Sequence, residues 1–487
     1  MSESLKDKSL KAFFWVLADK MGGSVANFLI TIFLARMLTP ADFGLVAMIL
    51  VFFEISSSFI ESGLGYALIR EKTITEVDKA TAFYFNLVMA VAFYALLYWS
   101  APAISAFFNQ PALTAIVRIM GLNLIVRALS YVQHTVLLHR VDFRTQTLVR
   151  FSAVLVSGTF ALAMACYGWG VWSLVARIGV MDICITVLFW YLNPWKIAWQ
   201  FSMKSFRKLF GFGSVILAEA LIDKFFRHLV QLLMGKFYSA ATLGLFTQAS
   251  NFCNMAVNNM SQTLQKLSYP ILAKLRDDHK ALKQGYRRMI VMSSFIIMPV
   301  MVLMGVLAEP ILTTFAGEKW LPATLFLQLL CVAGAVYHVN AINLDMLLVL
   351  GRTDLSLRLE VIKKIITATA IIIGIQFGVY GLIIGQVIST YVALFINTYY
   401  SDKLLKYALS EQLRDVFLSF VFSAATGAAV FFLQNILAVN TLPSVLLVLT
   451  AAMGFYIGLH WLARTEEIGF VRTYIVPQTL KMLGRNR

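Results

Sequence analysis

The chain has 487 residues, 59% of them hydrophobic and 14% charged, with a formal net charge of +16. A soluble domain carries roughly a quarter charged residues, so a mean hydropathy of +0.76 excludes an aqueous globular enzyme and requires a bilayer as solvent. The positive charge does not point to nucleic acid, because Lys and Arg gather in alternate loops between apolar segments rather than on one face.

The first residues, MSESLKDKSLKAFFWVLADK, imitate a signal peptide. Asp19 and Lys20 interrupt the apolar run and no Ala-x-Ala site follows, so the segment is expected to be retained. Apolar segments near the ~20 residues that cross hydrocarbon run from Leu10 to Met37, Leu45 to Ile69, Ala80 to Ser100, Ala112 to Leu138, Thr147 to Tyr167 and Val171 to Leu192. These six form an expected N-terminal lobe, residues 1–192.

Residues 193–208, NPWKIAWQFSMKSFRK, place Trp195, Trp199, Met203 and Phe206 at helical spacing among Lys196, Lys204, Arg207 and Lys208. That pattern predicts an amphipathic linker lying in the membrane interface, tethering two lobes. A second six spans follow at Leu209 to Gly235, Leu243 to Leu267, Met289 to Leu307, Pro322 to Leu350, Leu359 to Phe377 and Leu382 to Tyr400, forming a lobe over residues 209–400. Val416 to Leu437 and Leu442 to Leu462 add two more within residues 401–487. The expected fold class is an all-α polytopic membrane protein of fourteen spans, six plus six plus two.

Of the 41 Lys and Arg, 32 fall on the side of the N-terminus, three (Arg36, Lys236, Lys319) on the other and six within spans. Cytoplasmic loops hold the excess of positive charge, so both termini are expected in the cytoplasm. The outer loops are short. Ala101 to Pro111 and Leu307 to Leu321 are the longest and hold one Lys and no His, which argues against a glycan polymerase or ligase, enzymes that carry a long periplasmic loop with catalytic Arg and His.

An internal repeat appears at a constant offset of 200. Leu29, Ala41, Gly44 and Leu45 recur as Leu229, Ala241, Gly244 and Leu245, while Asp19, Arg36 and Thr39 correspond to Glu219, Lys236 and Ser239. The turn YGWGVWSL also resembles FGVYGLII at the far end of the second six. Two copies of an even number of spans enter from the same side, so they are parallel repeats related by an axis along the membrane normal, with a cleft between them as the expected substrate path.

Ionisable groups at membrane depth cost several kcal/mol and need a partner, a wet cavity or a function. In the first span Lys20, Ser24, Asn27 and Thr31 share a face beside Asp19, and in the seventh Glu219, Asp223, Arg227 and Gln231 share one with Lys224 adjacent. The second span carries Glu54, Ser58 and Glu61, the eighth Asn251, Asn254 and Asn258, the fourth Arg118 and Arg127, and the sixth Arg177 and Asp182. Cations at depth suit an anionic substrate such as a pyrophosphate-linked lipid, so Lys20, Asn27, Arg118, Arg127, Arg177, Lys224, Arg227, Asn251, Asn254 and Asn258 are the expected cavity lining. Asp19, Glu54, Glu61, Glu219, Asp223 and Asp345 are the carboxylates available for coupling to H⁺ or Na⁺. The competing structural role for pairs such as Asp223 with Arg227, or Arg177 with Asp182, is helix–helix adhesion.

No metal site is expected, since His134, His228 and His338 lack ligand spacing, and Cys166, Cys184, Cys253 and Cys331 are scattered through apolar segments. No nucleotide-binding loop is present, so no cofactor is expected and active transport would draw on an ion gradient or membrane potential.

Four stretches, LARMLTPADFGLVAM with FIESGLGYALIR, LLHRVDFRTQT, GWGVWSLV and YPILAKLRDDHKALKQGYRRMI, resemble the polysaccharide transporter, or Wzx-type, flippases of the multidrug, oligosaccharidyl-lipid and polysaccharide exporter superfamily, nearest the colanic-acid branch. The resemblance implies two six-helix bundles, alternating access, and flipping of undecaprenyl-pyrophosphate-linked oligosaccharide toward the periplasm for exopolysaccharide or O-antigen synthesis. It implies residence in the bacterial inner membrane among membrane lipids, with a polysaccharide polymerase as a partner. A multidrug antiporter of the MATE type, usually twelve spans, and a lipid II flippase, with fourteen and a cationic cavity, are the alternatives.

Overall fold

The computed structural model describes residues 22–470 and 472, apart from 62, 72, 437, 438 and 440, and the side chains of 258–271, 435 and 436 lie outside the description. The described residues contain helices and no strand. In chain order these are α1 (Ser24–Met37), α2 (Pro40–Glu61), α3 (Leu64–Arg70), α4 (Glu76–Phe108), α5 (Leu113–His139), α6 (Phe143–Cys166), α7 (Val171–Leu192), α8 (Met203–Phe237) and α9 (Ala240–Lys274). They continue as α10 (His279–Val306), α11 (Ala308–Ala316), α12 (Thr324–Val349), α13 (Thr353–Gly374), α14 (Gly378–Leu405), α15 (Leu409–Ile436), α16 (Leu442–Leu462) and α17 (Glu466–Phe470).

Only helices satisfy every backbone group within one segment, which is why apolar runs become helices in lipid. Ten segments among the described residues are long and apolar enough to cross a membrane, and one of them, Thr353–Leu405, covers both α13 and α14. The outward surface is apolar, and aromatic residues crowd helix ends: Tyr167 is 83% exposed beside the turn to α7 and Trp199 is 92% exposed before α8, as in an interfacial aromatic belt.

Local chemistry sets the helix ends. Thr75 caps α4 by accepting from Asp78 N at 3.1 Å while its own N–H donates to Asp78 Oδ2 at 3.2 Å. Between α2 and α3 the chain turns at Gly63 with φ +64°. A Cβ there would lie 2.2 Å from the Gly213 carbonyl oxygen, so both backbone geometry and close approach demand glycine. The expected second span is therefore two helices around a kink.

The linker is only partly helical, although its apolar residues stand at helical spacing. Residues 193–202 are not helical, and α8 starts only at Met203, where the Ser202 side chain accepts from Ser205 N. Pro194 has no N–H to continue α7. Trp195 is fixed instead by stacking on Trp190 at 6.3 Å and by donating from Nε1 to Glu76 Oε2 at 2.7 Å, so aromatic anchoring outweighs the helical spacing. The two longest outer segments are also mostly helical: α4 reaches Phe108, and Ala308–Ala316 forms α11 followed by a 3₁₀ turn over Glu318–Ala323.

The chain divides into two compact units, Met1–Thr247 and Gln248–Arg487. In the first, α4 packs along α5, α6 along α7, and α8 along α2; Leu64, Phe83, Val132 and Leu209 lie in one buried apolar cluster. In the second, α10 packs between α12 and α15, and α13 along α14, around Tyr286, Met346, Leu359 and Tyr407.

The offset of 200 is visible in helix boundaries. α1 ends at Met37 and α2 begins at Pro40, while α8 ends at Phe237 and α9 begins at Ala240. The equivalent glycines make reciprocal contacts within the first unit: a Cβ on Gly44 would sit 1.7 Å from the Ala240 carbonyl oxygen, and one on Gly244 would sit 1.7 Å from that of Pro40. Backbone meets backbone at both positions, the close approach that small residues permit between membrane helices.

Candidate functional site: an ionic core in the first unit

Lys224 of α8 enters a carboxylate face of α2. Its Nζ stands 3.3 Å from Glu54 Oε2 and 3.8 Å from Glu61 Oε2, and it donates to the Glu54 carbonyl at 3.2 Å and to Ser57 Oγ at 3.5 Å. Glu54, Ser57 and Glu61 meet it because steps of three and four residues share one helical face. One ammonium thus serves two carboxylates, leaving a surplus negative charge.

A second pair joins α5 to α7. Arg127 Nε lies 3.0 Å from Asp182 Oδ2, and its guanidinium sits 4.8 Å over the Phe53 ring of α2. Asp182 is buried, and a single buried charge of either sign costs far more than the pair. Asp182 does not pair with Arg177, the partner suggested by sequence. Five residues turn an α-helix through about 500°, which points those two side chains about 140° apart.

Arg177 reaches α1, donating to Asn27 Oδ1 at 2.5 Å and to Thr31 Oγ1 at 3.1 Å. These acceptors are neutral, so hydrogen bonding satisfies the guanidinium without cancelling its charge. The partner of each polar stripe is therefore a neighbouring span: Lys224 of the seventh span meets the second, and Asn27 of the first meets the sixth.

Both ion-paired clusters open onto one cavity of about 400 Å³, walled by α2, α5, α6 and α7. Ser57 and Glu61 supply one wall and Arg127 and Asp182 another; His134 and Arg150 close it, with Arg150 Nη2 3.0 Å from His134 Nε2. His134, Arg150 and Tyr131 were not singled out as site residues from the sequence. A signal for two of them existed, since Arg127, Tyr131 and His134 recur at steps of four and three on α5.

The remaining expected site residues stand apart from this core. Arg118 stacks on Tyr98 at 4.4 Å. Arg227 pairs with Asp223 along α8, with 68% and 45% of their side chains exposed, and Glu219 is exposed. In the second unit Asn251 donates to Gln248 Oε1 at 3.5 Å, Asn254 is exposed, and Asp345 has a buried Oδ2 without a hydrogen-bond partner. Asp19 and Lys20 lie outside the described residues, as does the side chain of Asn258.

The all-helical fold, with a charged cavity in its first unit, is one shared with solved membrane proteins. It aligns with the lipid II flippase MurJ in an inward closed conformation at a TM-score of 0.75, 12% identical, covering 96% of this chain and all of that one. An inward-facing multidrug resistance MATE family transporter of the MOP superfamily aligns at 0.63, 13% identical, covering 81% and 98%. Within that fold, the chain belongs to the polysaccharide biosynthesis protein family, whose model matches residues 33–325, more than half of its length.

Curated relatives agree. The teichuronic acid biosynthesis protein TuaB of Bacillus subtilis is 24% identical, covering 76% of this chain and 78% of its own. The lipopolysaccharide biosynthesis protein WzxC of Escherichia coli is 23% identical over 74% and 75%. The succinoglycan biosynthesis transport protein ExoT of Rhizobium meliloti is 20% identical over 66% and 65%.

Proposed function

We propose that this protein is a flippase that moves undecaprenyl-pyrophosphate-linked oligosaccharide repeat units from the cytoplasmic to the periplasmic leaflet of the inner membrane, feeding a polysaccharide polymerase. The observation that carries the reading is the set of cations in the apolar spans of the first unit: the ion-paired Lys224 and Arg127 and above all Arg177, whose acceptors Asn27 and Thr31 leave its charge uncancelled. Cations within spans are retained for anionic cargo. A diphosphate offers the oxygens that a guanidinium fork or an ammonium engages. Relatives named for teichuronic acid, lipopolysaccharide and succinoglycan differ in their polymers, which favours recognition of the shared lipid diphosphate over recognition of particular sugars.

In this reading the chain makes fourteen crossings. α1, α8 and α9 add to the strongly apolar segments; α8 and α9 have 35 residues each, long enough to cross despite their polar faces. The two six-span copies are parallel repeats, both termini are cytoplasmic, and transport proceeds by alternating access. Glu54 and Glu61 form the coupling site, because the single Lys224 ammonium leaves one of their charges for H⁺ or Na⁺.

A lipid II flippase is the second reading, favoured by the likeness to MurJ; its cargo is also a lipid diphosphate. A deletion strain separates the readings. Lipid-linked repeat units should accumulate on the cytoplasmic leaflet with peptidoglycan synthesis intact. Accumulation of flipped but unpolymerised units would sink the flippase assignment, and rescue of peptidoglycan synthesis in a strain lacking its own flippase would transfer it to lipid II.

A further inference from the structure

A second concentration of charge lies in the second unit, and transport as argued above does not use it. α10 has 28 residues, about 42 Å at 1.5 Å per residue, whereas the hydrocarbon is about 30 Å thick. The surplus of about 12 Å covers about eight residues, 279–286, which hold Lys280 and Lys283; Arg287 and Arg288 follow at its edge, directly before an apolar run from Met289. These cations therefore sit at headgroup depth. α15 packs along α10 and brings Glu411, Arg414 and Asp415 in its own first two turns.

Two cavities open on this collar and share Gln284 and Arg287. One, of about 500 Å³, is polar, walled by Lys280, Lys283, Arg414, Glu411 and Asp415. The other, of about 540 Å³, sets Arg288 and Glu466 beside an apolar floor of Val291, Met292 and Phe470. The acids are engaged by two of the cations: Lys283 lies 2.8 Å from Glu411, and Arg287 lies 2.9 Å from Asp415 and 3.5 Å from Glu466. Lys280, Arg288 and Arg414 have no carboxylate partner among the described residues, and Arg288 rests 5.6 Å over the Phe470 ring.

We propose that this collar is a binding site for an anionic phospholipid of the leaflet that meets the Lys- and Arg-rich loops. The phosphate sits at Arg288, in the positive field of Lys280 and Arg414, and an acyl chain runs over Val291, Met292 and Phe470. A cationic rim above an apolar floor matches a molecule charged at one end and oily at the other, and basic pockets between membrane helices on the cytoplasmic side bind such headgroups. A soluble phosphate would gain nothing from the floor.

The test uses the purified full-length protein in neutral phosphatidylcholine nanodiscs with or without phosphatidylglycerol, and reads lipid retention by native mass spectrometry. Phosphatidylglycerol should be retained in preference to phosphatidylcholine. Arg288→Gln combined with Arg414→Gln should weaken its retention roughly 25-fold, about fivefold per cation, while Arg288→Lys keeps most of it. Glu466→Gln should strengthen retention, a gain that misfolding cannot imitate. The pair Lys204→Gln and Arg207→Gln should change nothing. Equal retention of the two lipids, an unaffected Arg288/Arg414 double variant, or displacement of phosphatidylglycerol by inorganic phosphate alone overturns the proposal. None of these residues belongs to the ionic core, so the outcome is independent of flipping.

Discussion

The two units bury polar groups in different currencies of interaction. In the first, charges meet charges: Lys224 with Glu54 and Glu61, and Arg127 with Asp182. In the second, Asp345 and the Glu467–His460 pair also lie inside, but the network around Asn343 and Asn340 is neutral. Asn343 donates to Gln412 Oε1 at 3.2 Å and accepts from Ser401, Asn397 donates to Asn340 Oδ1 at 2.9 Å, and Ser294 meets His338 Nε2 at 2.8 Å. Neutral amide and hydroxyl bonds hold membrane helices together at modest energy. Charges at depth are costlier and are retained for charged ligands, so in the proposed reading the neutral network serves adhesion and the ionic core serves cargo.

Three substitutions sharpen that contrast. The largest effect is expected from Lys224→Met, which strands two carboxylates. Glu61 keeps 46% of its side chain exposed, so the loss should be roughly 2–3 kcal/mol, below that of a sealed pair, read as a lower unfolding midpoint in detergent. Adding Glu54→Gln and Glu61→Gln should restore the midpoint but not flipping; if flipping returns too, the cluster is adhesive like the second unit. Asn343→Ala comes next, at about 1–3 kcal/mol for the partners left unsatisfied, with flipping per folded molecule unchanged. A transport defect there, at normal stability, would erase the distinction between the interiors. The smallest stability effect belongs to Arg227→Ala, whose pair with Asp223 is exposed and should contribute no more than about 1 kcal/mol. In the proposed reading flipping should nevertheless fall, because Arg227 is one of the span cations expected to line the cargo path.

Much of this was legible beforehand because it rests on periodicity. Helix ends at Met37 and Phe237, and starts at Pro40 and Ala240, keep the offset of 200, and Gly44 and Gly244, noted only as repeated letters, prove to be matched backbone contacts. Pairing between helices was not legible. Whether Asp182 joins Arg177 or Arg127 depends on which faces α5 and α7 present to each other, which no local window contains. The linker's path was not legible for a different reason: Trp195 and Trp199 stand at helical spacing, yet residues 193–202 are not helical, with Pro194 after α7 and Trp195 bonded to Glu76.

The most direct test of the central claim, that the first unit's ionic core handles a lipid diphosphate, is flipping of a labelled undecaprenyl-pyrophosphate glycan in proteoliposomes by the wild type, Lys224→Gln and Lys224→Arg, at matched amounts of folded protein. The account predicts that Lys224→Gln loses at least tenfold in rate, about 1.4 kcal/mol or more, while Lys224→Arg retains most of it. Wild-type flipping by Lys224→Gln would contradict the account and leave the core a structural feature.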